Sequence, residues 1–239
     1  MTENKWAFVS GGGKGIGNVI SEFLAKNGCN VIISYRKSKK ESDDFAKKII
    51  KEYNVKCLSI KLDSTNEKKV KAFFEQMNKE NIFISYLINN AGDYLQKDIE
   101  LLEVDEWLYI INNNLNANFI LSKYFLIYAK EKKEGKIINI GYVNSGLPLA
   151  KTTITPYYIA KSGIVQLTQA IAKKYAQYNI TANVISPGIM ENSIEKPSPF
   201  PANRFGKPEE IANCVLYLLS KEADYITGTQ INISGGWGL

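Results

Sequence analysis

The sequence predicts a doubly wound α/β fold, a parallel sheet with helices on both faces, and three observations carry that prediction. Short apolar runs alternate with longer amphipathic stretches along all 239 residues, the alternation that βαβ units produce. The first run, Trp6-Ala7-Phe8-Val9, breaks directly into Ser10-Gly11-Gly12-Gly13-Lys14-Gly15-Ile16-Gly17. A helical pattern follows at once, with Ile16, Val19, Ile20, Phe23 and Leu24 on one face. A strand that turns through glycines into a helix brings backbone N–H groups and the positive helix end up to a phosphate; a purely structural turn is the plainer alternative.

In chain order, strands are expected at residues 7–10, 31–34, 57–62, 86–88, 137–140, 182–185 and 230–233, and helices at 16–26, 43–52, 67–78, 104–130, 155–178 and 208–219. The strands are short apolar runs and the helices longer amphipathic segments, as a parallel sheet covered on both faces requires. No repeat or low-complexity tract interrupts the series; the irregular stretch is 189–206, with Pro197, Pro199 and Pro201. The chain is therefore expected to be one Rossmann-type domain over 1–239 with a short lid at about 189–206. In such a sheet ligands bind at the carboxyl ends of the strands.

Composition narrows the function classes. The net charge is +6, yet all but two of the 30 basic residues are lysines spread among acidic neighbours, as Lys47, Lys48 and Lys51 are beside Glu52. There is no arginine-rich stripe with interleaved aromatics, so nucleic acid is not an expected partner. No run approaches the roughly 20 apolar residues of a membrane span, and the first strand begins too early to leave room for a signal peptide, which points to the cytoplasm and away from membranes. Cys29, Cys57 and Cys214 are scattered and odd in number, and read as small core residues in a reducing compartment. Histidine is absent. No metal is expected, and acid–base chemistry falls to Tyr, Lys, Asp, Glu or Cys.

After the second strand comes Tyr35-Arg36-Lys37, with Tyr35 where an acidic side chain would read the ribose hydroxyls of NAD. With Arg36 beside it and Lys14 in the glycine loop, the pocket is expected to be positive and to favour the 2′-phosphate of NADP; solvated loop charge is the alternative. Tyr157 and Lys161 lie four apart in a predicted helix, so they share one face about a turn apart. A phenol with an ordinary pKa of about 10 does not readily exchange protons near neutrality, and an adjacent ammonium stabilises its phenolate. Tyr158, three residues from Lys161, fits the spacing less well.

The pattern Ser10-Gly-x-x-x-Gly-Ile-Gly, with Asn89-Asn90-Ala91-Gly92, Tyr157-x-x-x-Lys161 and Pro187-Gly188-Ile189, resembles that of the short-chain dehydrogenase/reductase family, its 3-oxoacyl thioester reductases in particular. The resemblance extends to Ser234-Gly235-Gly236. It implies that Gly11, Gly13, Lys14, Gly15, Ile16 and Gly17 cradle the cofactor phosphates, and that Asp63 with Ser64 meets the adenine, a helix cap being the alternative for Asp63. It further implies that Asn90, Ala91 and Gly92 line the cofactor, that Lys161 binds its ribose, and that Pro187, Gly188 and Ile189 meet the nicotinamide. Asn114 aligns with an asparagine that kinks the long helix and holds a water near the lysine; a polar patch in an asparagine-rich stretch competes with that role. The threonine expected beyond Ile189 is Asn192, with Ser193 next to it. The family's serine two residues past the fifth strand is missing, and Tyr142 stands there. Three alternatives stay open: Tyr142 supplies the hydroxyl, Ser145 is carried inward, or the substrate needs no such donor, as in the family's pteridine reductases.

The function implied is an NADPH-dependent reductase of a carbonyl, foremost a 3-oxoacyl thioester, small or carrier-bound. A pterin or dihydrofolate substrate is the near alternative, and a nucleotide-binding sensor or scaffold without catalysis is the alternative of another class. Family members pair the long helices across two-fold axes, so a homotetramer is expected, with 236–239 near a second interface.

Overall fold

Seven strands form one sheet in the computed structural model, which describes residues 4–191, 193 and 201–238. They are β1 (Trp6–Ser10), β2 (Asn30–Tyr35), β3 (Cys57–Lys61), β4 (Ile84–Asn89), β5 (Gly135–Ile140), β6 (Ile180–Pro187) and β7 (Gln230–Ile233). The helices are α1 (Gly15–Lys26), α2 (Lys39–Tyr53), α3 (Glu67–Lys79), α4 (Val104–Ile111), α5 (Ala117–Lys132), α6 (Thr155–Tyr175) and α7 (Pro208–Leu219). All pairings are parallel, in the order β3-β2-β1-β4-β5-β6-β7. The winding reverses between β1 and β4, and at such a switch point the loops part to leave a crevice.

Side chains alternate across β1, so Ala7 and Val9 enter one layer and Phe8 the other. In the first layer Val31, Ile33 and Ile88 pack with Ile20, Ile49 and Val215 of α1, α2 and α7. In the second, Ile32, Leu87 and Ile137 pack with Phe73, Phe125 and Ile171 of α3, α5 and α6. Burying a side chain of this size is worth roughly 2 kcal/mol. The inner strands β2, β1, β4, β5 and β6 are buried on both faces along most of their length, which is why they read as largely continuous apolar runs, whereas the edge strands β3 and β7 are mostly half-buried.

The strands match the expected spans to within two residues at either end, and three predicted helices differ in detail. The helix expected at 104–130 is divided, because Asn112–Asn116 forms a wide π turn between α4 and α5. Asn114 Nδ2 donates to the Ile110 carbonyl and Asn118 Nδ2 to the Asn114 carbonyl, each at 3.0 Å, so side-chain amides bond carbonyls within the widened turn. Helix α2 begins at Lys39, ahead of the expected 43–52, since its polar first turn carries no apolar period. The far end of the helix expected at 155–178 tightens into a 3-10 turn over Ala176–Tyr178. Of the expected lid, Met190 and Gly206 pair at its neck; Asn192, Pro197 and Pro199 lie outside the described residues.

Candidate functional site

Helix α1 begins without a side-chain cap: Lys14 precedes it in extended conformation and its first turn holds no acidic residue. The first N–H groups of an α-helix have no partner within it, so this end suits an anion. At Gly15 a Cβ would meet nothing within 4 Å, so the loop is open there. At Gly17 a Cβ would come within 2.5 Å of Asn90 Nδ2 and of the Gly11 carbonyl, so glycine is what lets α1 start this close to the loop after β4. Ser10 joins the two loops: its Oγ accepts the N–H groups of Asn90 and Ala91, each at 2.9 Å.

A cleft of about 760 Å³ runs across the strand ends, and every residue expected to meet the cofactor lines it except Gly17, which packs beneath the loop. An open phosphate seat, a glycine-lined approach and buried polar groups at the far end fit a dinucleotide. At one end the Asp63 carboxylate accepts the N–H of Thr65 at 3.0 Å and its hydroxyl at 2.7 Å. Burial pushes that carboxyl up, but the two bonds from Thr65, with the nearby charges of Arg36 and Lys69, together hold its pKa below the ordinary value. The cap of α3 is Asn66, whose side chain accepts the Lys69 N–H, so Asp63 does not act as that cap. Arg36, expected to help make this end of the pocket positive, lines the cleft and is held by three side chains. Its Nη1 donates to Asn113 Oδ1 at 2.6 Å, and its Nη2 to Tyr109 Oη at 2.8 Å and Asp93 Oδ2 at 3.2 Å.

At the other end Lys161 is 3 % exposed and donates from Nζ to the Ile140 carbonyl at 2.7 Å. That nitrogen lies 5.4 Å from the centroid of the Tyr157 ring. Burial lowers the Lys161 pKa to about 8, and burial, with smaller contributions from Tyr142 and Tyr94, raises that of the Tyr157 phenol. The expected lowering of the phenol by the ammonium is thus not realised in this conformation, where the lysine lies over the ring face and desolvation dominates. Asn114 is fully buried; its Nδ2 donates to the Asp93 carbonyl at 2.9 Å, while its Oδ1 has no protein partner. A Cβ on Gly92 would strike that oxygen and stand 3.7 Å from Lys161 Nζ, so Gly92 leaves room between the two polar groups.

The two candidates for the missing serine separate. Tyr142 lines the cleft with its ring 5.7 Å from that of Tyr157. Ser145 is buried outside the cleft lining, and its hydroxyl accepts Gln230 Nε2 at 3.2 Å. The same amide donates to the Tyr142 carbonyl at 3.1 Å and to Ser186 Oγ at 2.8 Å, so Ser145 belongs to the support of the loop. Tyr158 is buried, and its hydroxyl donates to the Asn144 carbonyl at 2.8 Å. Ser193 lines the cleft and accepts the Met190 N–H at 3.0 Å.

Sequence reasoning did not anticipate Asp93, Tyr94 and Trp237 in the cleft. The Tyr94 ring lies 5.1 Å from that of Tyr157, and Trp237 lies 6.1 Å from Tyr142. Trp237, in the segment expected near an interface, lines its own chain's cleft, and that segment is tied down by a bond from the Asn144 side chain to the Gly238 carbonyl; Leu239 lies outside the described residues. An aromatic ring set between glycines was the available signal, yet nothing local says where such a ring points.

A crevice with an uncapped helix end and a buried tyrosine–lysine pair defines the class, an oxidoreductase on a doubly wound sheet. The chain belongs to the short-chain dehydrogenase/reductase family. A family model described as enoyl-(acyl carrier protein) reductase matches residues 11–238. The chain is 33 % identical over 244 residues to a 3-oxoacyl-(acyl-carrier-protein) reductase of Vibrio harveyi, covering 98 % of this chain and 97 % of that one. Its identity to the enzyme of that name from Escherichia coli K12 is 31 %, with the same coverage. Among solved structures, a short chain dehydrogenase from Bacillus anthracis superposes with a TM-score of 0.91 at 31 % identity, covering 98 % of this chain and 97 % of that one.

Proposed function

We propose that this protein is an NADPH-dependent reductase of a carbonyl group, with a 3-oxoacyl thioester, small or carrier-bound, as its first substrate class. The observation that carries the proposal is the convergence of Tyr157, Lys161 and the orphaned Asn114 Oδ1 at one end of a cleft whose other end is an open helix N-terminus. The names of the relatives support the thioester. When bound, the nicotinamide cofactor supplies the hydride. The glycine loop and α1 hold its phosphates, Asp63 and Arg36 face its adenosine, and Pro187, Gly188 and Ile189 meet its nicotinamide. Tyr157 delivers its hydroxyl proton to the substrate oxygen. Lys161 as an ammonium binds ribose hydroxyls and stabilises the phenolate left behind. Asn114 Oδ1 positions a water that returns the proton, since a buried acceptor of this kind is ordinarily satisfied by one. Tyr142, rather than Ser145, supplies the second hydroxyl. We place the protein in the cytoplasm as a single-domain homotetramer; among the described residues no helix is long and apolar enough to cross a membrane.

A second reading rests on the rings of Tyr94 and Tyr142 beside Tyr157, with Trp237 against Tyr142. Such a wall suits a flat conjugated ring, a pterin or dihydrofolate, by edge and face packing. Loss of NADPH absorbance with acetoacetyl thioester, quinonoid dihydropterin, dihydrofolate and simple ketones decides between them. Turnover of the thioester supports the first reading, turnover of the pterin alone supports the second, and cofactor binding without turnover of any supports a sensor. NADPH is expected to bind at least tenfold more tightly than NADH, about 1.4 kcal/mol, and Arg36→Ala to remove most of the gap. Equal affinities in the wild type would overturn the cofactor assignment.

A further inference from the structure

The Arg36 side chain leaves the end of β2 and reaches the far wall of the cleft, where three groups receive it. Asp93, in the loop after β4, and Asn113, in the π turn, line the cleft with Arg36; Tyr109 on α4 closes the set. Tyr109 Oη also donates to Asp93 Oδ2 at 2.9 Å, so phenol, carboxylate and guanidinium form a closed triangle. A guanidinium has five N–H donors in a planar fork, and here both terminal nitrogens are engaged.

The pair is poorly suited to stabilising the fold. The Arg36 and Asp93 side chains are 39 % and 40 % exposed, and ion pairs in that setting contribute little. Lysine supplies nearly all of this chain's positive charge, yet an arginine stands where a fork is useful, and a carboxylate stands where it meets the fork. We propose that Asp93 is a specificity-setting residue: it competes with a cofactor's 2′-phosphate for Arg36 and keeps the preference for NADPH below what a free Arg36 would give. The inference rests on the nicotinamide-cofactor reading above. A 2′-phosphate that draws Arg36 to itself must break the bond to Asp93 and then lie near a like charge, two costs that NADH does not meet.

The test is a fluorescence titration of the wild type, Asp93→Asn and Tyr109→Phe with NADPH and NADH, with no substrate present. Asparagine keeps the size of the side chain, and a thermal melt checks that the variants fold. Asp93→Asn is expected to tighten NADPH about five- to tenfold and to change NADH less than twofold, with the gain shrinking in 0.5 M salt as screening shortens to a few ångströms. Tyr109→Phe, which keeps the carboxylate, is expected to raise the NADPH-to-NADH preference by less than Asp93→Asn. An unchanged or reduced preference in Asp93→Asn overturns the inference alone, because Asp93 would then position Arg36 rather than oppose its ligand. Failure of the wild type to bind either cofactor overturns the nicotinamide reading and this inference with it.

Discussion

Tyr157 and Lys161 share a helical face, but their chemistry depends on what buries them. Tyr157→Phe keeps the ring that packs between Tyr94 and Tyr142 and removes only the hydroxyl. It is expected to cut turnover by at least about 10²-fold with NADPH binding nearly intact; an active Tyr157→Phe would send the proton elsewhere. Tyr142→Phe is expected to lose about 10²-fold in kcat, the worth of one polarising donor, whereas Ser145→Ala is expected to keep kcat within a few-fold and lower the melting temperature. The reverse pattern would restore Ser145 as the donor. Lys161 offers a test of burial itself. Its folded pKa, about 8, lies below its ordinary 10.5. Between those values the unfolded chain binds more protons, so stability rises with pH across that window, and below it the buried charge costs the fold about 3 kcal/mol. Lys161→Met is therefore expected to be more stable than the wild type at pH 7 in denaturant titrations, with the advantage shrinking from pH 8 to 10.5. A difference that does not change with pH would show that the lysine is not buried as a cation.

Among the elements, the start of α7 holds the segment that leads into it. Arg204 donates to both Glu210 carboxylate oxygens, at 2.8 and 2.6 Å, and that carboxylate also accepts the Lys207 N–H at 2.8 Å. These bonds, that of Arg204 foremost, hold the Glu210 pKa at about 2, below its ordinary 4.5. A depressed carboxyl contributes stability above its unfolded pKa and loses it as pH falls through the folded one. Arg204→Ala is expected to lower the melting temperature modestly at pH 7, the gap closing between pH 4.5 and 2. A gap that persists at pH 2 would mean that packing, not charge, anchors the segment. The divided α4–α5 helix belongs to this scale too. Asparagines in the π turn point inward at Asn114, outward at Asn112 and Asn116, and periodicity alone does not separate these roles.

For the whole molecule, the sheet leaves an apolar face on α5 and α6. Phe119 and Ile127 are 49 % and 46 % exposed, beside a groove of about 710 Å³ lined by Leu126, Leu167, Ile171 and Tyr175. A patch of this kind is expected to pair with its copy across a two-fold axis. Sedimentation is expected to give a tetramer at micromolar concentration, and Phe119→Glu with Ile127→Glu a smaller species; a monomeric wild type would overturn the assembly.

The order of strands and helices was legible because burial on two faces writes itself as short apolar runs, and amphipathic packing as a 3.6-residue period. The glycine loop and the spacing of Tyr157 and Lys161 were legible for the same reason: each is a local relation within one turn or one helix. Three features were decided only in three dimensions. Ser145 and Tyr142 are near neighbours in sequence, and Gln230, far along the chain on β7, draws one into the loop's support while the other faces the cleft. Arg36 is a loop cation until α4 and the loop after β4 bring Tyr109 and Asp93 to it. Trp237 is one ring in a glycine-rich tail until the Asn144 loop seats it beside Tyr142. In each case a polar or aromatic side chain takes its role from partners tens of residues away, and no local period or spacing records such partners.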